Sequence, residues 1–116
     1  MAEHLVVGVA RFVLRFPGCR SLKEKRRVLH SVQDRLRARH RVSCAEIGAQ
    51  DEHARAVLAL GLVGSDKREV EAALGTMLAE VDRAGLAPMG ERVIRVEVWG
   101  DSLAEPGLAL DFDLDF

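Results

Sequence analysis

An α+β domain with the element order β-α-β-β-α-β is what this sequence predicts, and three observations carry the prediction. Two segments with helical apolar spacing each open on a capping signal, Ser21 with Glu24 and Asp66 with Glu69. Four segments rich in Val, Ile, Leu and Phe lack that spacing and are bounded by Gly, Pro and polar residues, as strands are. The two middle strands follow one another directly, so they form a hairpin between the helices. This is the order of the ferredoxin-like split βαβ fold, an antiparallel sheet with both helices on one face.

His4 to Phe16 reads as a long strand that Pro17-Gly18 stops. The first helix runs from Ser21 to about His40, with Leu22, Leu29, Val32 and Leu36 on one stripe. Val42 to Gly48 and Arg55 to Val63 are the hairpin strands, joined by a polar loop around Gln50-Asp51-Glu52-His53. The second helix reaches about Ala84, carries Val70, Leu74, Met77 and Val81 on its stripe, and ends at Gly85. Arg92 to Trp99 is the fourth strand. Gly100 to Gly107 reads as a linker, and Leu108 to Phe116 alternates apolar with acidic residues as a further strand would. The expected organisation is therefore a ferredoxin-like domain over 1–99 and an acidic linker with an extra C-terminal strand over 100–116.

The 116 residues hold 48% apolar content, sufficient for a core without disulfides or metal. Neither a membrane span nor a secretory leader is evident, and two widely spaced cysteines, Cys19 and Cys44, fit reduced thiols; a cytoplasmic location is expected. The near-neutral net charge hides an asymmetry. Residues 1–42 carry 11 Lys or Arg against 3 acids, whereas the remainder carries 6 against 15. A basic segment of this kind attracts polyanions, or is neutralised by the acidic half of its own chain or of a second subunit.

Three pieces, Pro17-Gly18-Cys19-Arg20-Ser21-Leu22-Lys23-Glu24-Lys25-Arg26-Arg27, Val42-Ser43-Cys44-Ala45-Glu46-Ile47-Gly48, and Gln50-Asp51, resemble the YlxP-like family of uncharacterised bacterial proteins. The resemblance spans roughly residues 5–99. It implies a small ferredoxin-like domain, often encoded near translation initiation and ribosome maturation factors, and brings no catalytic residues with it. Cys44 stands where aliphatic residues are common in that family, and the segment after Trp99 lies outside the shared core.

At 100° per residue, Lys23, Arg26, Arg27, His30 and Arg37 project from an arc beside the apolar stripe of the first helix. With Arg20 and the free amides of the helix start they make a candidate nucleic-acid-binding surface. The alternative is an ordinary solvated helix face. Lys25 falls inside the apolar stripe and must either reach water at the first-turn edge, the preferred reading, or pair with a buried acid. Glu46 is the first candidate counter-ion and Asp51 the second.

Catalysis is not expected. Cys19 has no base placed beside it, His30 and Asp34 at i and i+4 make a poor metal site, and no phosphate loop is present; no metal and no cofactor are anticipated. Base stacking on the sheet is disfavoured because the third strand has no aromatic residue. The sequence points to a non-enzymatic RNA- or ribosome-associated protein using its first helix. An oligomeric interaction domain is the alternative. Both faces of the first strand are apolar and two helices cover only one, so a homodimer is expected as well.

Overall fold

The structure is a computed structural model and describes residues 4–99. Its elements are β1 (Val6–Arg15), α1 (Leu22–Arg39), β2 (Ser43–Gly48), β3 (Arg55–Gly64), α2 (Lys67–Ala84) and β4 (Met89–Val98). All pairings are antiparallel, and the sheet order is β2-β3-β1-β4. This is the predicted ferredoxin-like α+β architecture. The linker and terminal strand expected over 100–116 lie outside the described residues.

Strand parity decides which side chains face the helices, although Val13 and Val57 are buried on the opposite parity. Val6, Ala10, Phe12 and Leu14 of β1 point at the helices, and their partners Leu60, Leu58 and Ala56 on β3 do the same. Against them pack Leu29, Val32 and Leu36 of α1 and Val70, Leu74, Met77, Leu78 and Val81 of α2. Each large side chain sealed in this layer contributes about 1.5–3 kcal/mol. Glycine is required at one contact in particular. A Cβ at Gly8 would lie 2.5 Å from Val70 Cγ1 and 2.8 Å from Leu74 Cδ1, so α2 sits directly on the backbone of β1.

The opposite parity leaves a second face without helices. Val9, Ile47, Val63 and Val93 stand on it and are about half exposed or more, interspersed with Arg11, Arg15 and Arg95. The fourth strand begins earlier than its composition predicts, at Met89 rather than Arg92. The reason is an irregularity in the β1–β4 register between Phe12 and Leu14, which lets Met89 pair with Leu14 just beyond Pro88.

Candidate nucleic-acid interface

Helix α1 begins behind an N-cap serine, with Glu24 reaching back to the residue before it. Ser21 Oγ accepts from the Glu24 amide at 3.2 Å, and the Glu24 carboxylate accepts from the Arg20 amide at 3.1 Å. The helix start therefore already holds an anion of its own. The Glu24 carboxylate thus sits beside the first turn on which a phosphate was expected and competes with an anion there. Cys19, close by, donates its thiol to Ser21 O at 3.3 Å.

Lys23, Arg26, Arg27 and His30 are exposed on the side of α1 turned away from the core, as is Arg20 just before it. Among the described residues the ion pairs are Lys25–Glu46, His40–Glu80 and Arg55–Glu52, so none of these five side chains is in an ion pair. Arg37 differs. It is exposed, yet its Nη2 donates to Cys44 O at 2.9 Å, fastening the helix to β2. Burial pushes the Cys44 thiol up, with Arg37 opposing.

Lys25 does not reach water. It is 1% exposed, and Nζ donates to the carbonyls of Ala49 at 2.8 Å, Glu52 at 2.5 Å and Arg55 at 3.2 Å. The preferred expectation for Lys25 is thus corrected: the β2–β3 loop folds over the first turn and seals it. Glu46 stands with its Oε2 3.0 Å from Nζ, and Asp51 is exposed. The three ammonium protons are used by the three carbonyls, so Glu46, whose buried Oε2 has no hydrogen-bond partner, is held there by charge. Ala49 adopts a left-handed φ of 59°, which turns its carbonyl into this cage. Sequence reasoning reached Lys25 and Glu46 but missed the carbonyls. A lysine angled into an apolar stripe beside a polar loop was the available signal.

Among the described residues no three His, Cys, Asp or Glu side chains are grouped as metal ligands would be. No helix among them is long and apolar enough to cross a membrane. Phe12 is fully buried on the helix side, so β1 and β3 carry no aromatic ring on the open face.

Residues 7–91 match the family model described as "Protein of unknown function (DUF503)". The chain belongs to this family. It is also 37% identical over 79 residues to "Uncharacterized protein YlxP" of Bacillus subtilis (strain 168), a match covering 68% of this chain and 83% of that one. Among solved structures, "De novo designed protein Foldit4" is similar at a TM-score of 0.41 and 14% identity, over 83% of this chain and 96% of that chain. The YlxP-like resemblance read from the SLKEKR and AEIG segments is thereby established.

Proposed function

We propose that this protein is a non-enzymatic accessory binding protein of RNA or of the ribosome, in the cytoplasm, and that it holds the phosphate backbone on the outer arc of α1. One observation carries the reading. Lys23, Arg26, Arg27 and His30 are exposed along a single arc and outside every ion pair of the described residues. Unpaired Lys and Arg side chains in a row along one helix bind polyanions by counterion release, with little sequence preference. The central strands β1 and β3 carry no aromatic ring on the open face for base stacking, which favours backbone contact over base readout.

Filter binding with RNA across a salt series tests this, comparing the parent with a Lys23→Glu, Arg26→Glu, Arg27→Glu variant. Affinity in the parent should fall with salt at a log–log slope of about −2 to −3, and the variant should lose binding while keeping its melting temperature. Undetectable binding by the parent at low salt, or equal binding by the variant, sinks the reading.

The half-exposed Val9, Ile47, Val63 and Val93 on the open sheet face favour a second reading, a homodimer that buries this face. Arg95 and Glu97 stand on that same face, a mixture of signs that a twofold-related copy can pair with itself. Sedimentation of the parent and of a Val9→Asp variant separates the readings: a dimer that the variant dissolves supports it, and a monomeric parent ends it.

A further inference from the structure

Both helices come close to strands but hardly to one another: α1 approaches β2, and α2 approaches β1, β3 and β4. The space left between the helices is a cavity of about 120 Å³. Val32 and Leu36 of α1, Val81 and Ala84 of α2, and Leu86 just beyond the Gly85 cap make its apolar walls. Arg35, Arg39 and Glu80 complete the lining. Val32, Leu36 and Val81 are buried, whereas both arginines are exposed, so the apolar groups form the floor and the charged ones the mouth.

Size and charge together say what such a cavity takes. An apolar cavity of about 150 Å³ stays dry and holds a benzene ring. This one, slightly smaller and open at its mouth, is sized for a single ring or a short branched chain. No side chain of its floor carries a nitrogen or oxygen with which water could bond. At the mouth, Arg35 and Arg39 follow Val32 and Leu36 by three residues each, which places both guanidinium groups beside the floor. Among the described residues neither arginine makes a hydrogen bond or an ion pair. Glu80, the acid of the lining, is already engaged by His40 at 2.8 Å. The spare charge is therefore positive and of the kind that grips a carboxylate through paired N–H donors.

We propose that the cavity between α1 and α2 binds a small monocarboxylate. Its ring-sized or branched apolar group lies over Leu36 and Val81, and its carboxylate is held at the mouth by Arg35 and Arg39. These arginines stand on the flank of α1 toward α2, whereas Arg37, on the other flank with the basic arc, reaches Cys44 O of β2. The proposal is independent of RNA binding.

Titration of the full chain with benzoate and with 3-methylbutanoate, followed by methyl NMR, tests it. At least one of them should shift the methyl signals of Val32, Leu36, Val81 and Leu86 saturably in the millimolar range, and acetate, which lacks the apolar group, should not. Benzyl alcohol, a ring without the charge, should bind about fivefold or more weakly than benzoate, and an Arg35→Gln, Arg39→Gln variant should weaken the carboxylates by a similar factor. Ala84→Leu fills the cavity from α2 and should abolish the shifts while the melting temperature holds. No saturable shift with either carboxylate, benzyl alcohol binding as tightly as benzoate, carboxylate binding indifferent to the loss of both arginines, or shifts that survive in folded Ala84→Leu protein each overturns the proposal.

Discussion

Helices α1 and α2 are each 18 residues long, start behind an N-cap side chain that accepts from the amide three residues on, and lie on the same side of the sheet, yet four positions after the N-cap one has Lys25 and the other Val70. What each first turn lands on explains the difference. Val70 meets Gly8 and Gly64, where the absent Cβ atoms let it settle on strand backbone. Lys25 meets the β2–β3 loop, whose carbonyls point at it, and an aliphatic side chain there would leave them dry. The helix that lands on strands is anchored by apolar contact; the one that lands on a loop needs an ion.

The largest expected effect breaks the polar anchor. Lys25→Met should destabilise the fold by about 3–5 kcal/mol in urea denaturation, because it strips partners from three carbonyls and leaves Glu46 as a buried, uncompensated charge. Glu46→Gln should cost clearly less, since the carbonyls still satisfy Nζ. Equal costs for the two variants would mean that charge, not the carbonyl cage, makes the anchor.

The apolar anchor is expected to break more gently. Gly8→Ala places a methyl against Val70 and Leu74, and the resulting shift of α2 should cost about 1–3 kcal/mol. A Gly8→Ala, Val70→Ala pair should recover part of that loss, which a denaturation cycle measures. No recovery would put the clash elsewhere than Val70.

Much of this contrast was legible in the sequence. The capping signals of Ser21 and Asp66 announced both helices, and the 3.6-residue spacing put Lys25 in the apolar stripe, with Glu46 the first candidate partner although reaching water was the preferred reading. The carbonyl cage was not legible, because it depends on the left-handed Ala49 and on how the loop folds back after the β2 irregularity, which no periodicity encodes. Met89 and Gly90 were hidden behind Pro88 by a register shift. The carboxylate beside the start of α1 could have been read: Glu24, three residues after Ser21, brings an anion of its own to that turn.

The helices also end differently. α2 closes on Gly85 at φ 65°, whereas α1 closes on His40 in extended backbone at φ −137°. Gly85→Ala should therefore cost about 1 kcal/mol from the left-handed strain, and His40→Ala should carry no such backbone penalty. Thermal melts of the two variants compare them; a silent Gly85→Ala would show that the cap relaxes.

The smallest effect concerns the tie between the two helix ends, where His40 Nε2 and Glu80 Oε2 stand 2.8 Å apart. The hydrogen bond from His40 holds the Glu80 carboxyl below its ordinary range. A carboxyl whose pKa is lower in the folded state contributes its stability above its unfolded value and loses it as pH falls through the folded value. The parent should therefore lose this contribution only below about pH 4. Glu80→Gln should be slightly less stable than the parent at neutral pH, and the gap should close as the solution is acidified. Glu52, lowered in the same way by its hydrogen bond with Arg55, titrates over the same range in both proteins and cancels from the difference. Because the pair is about four-fifths buried on each side, the gap should persist in part at high salt, unlike that of a fully exposed pair. A gap that is constant from neutral pH to below the carboxylate range would remove the helix-end tie from the account of how α1 and α2 are held together.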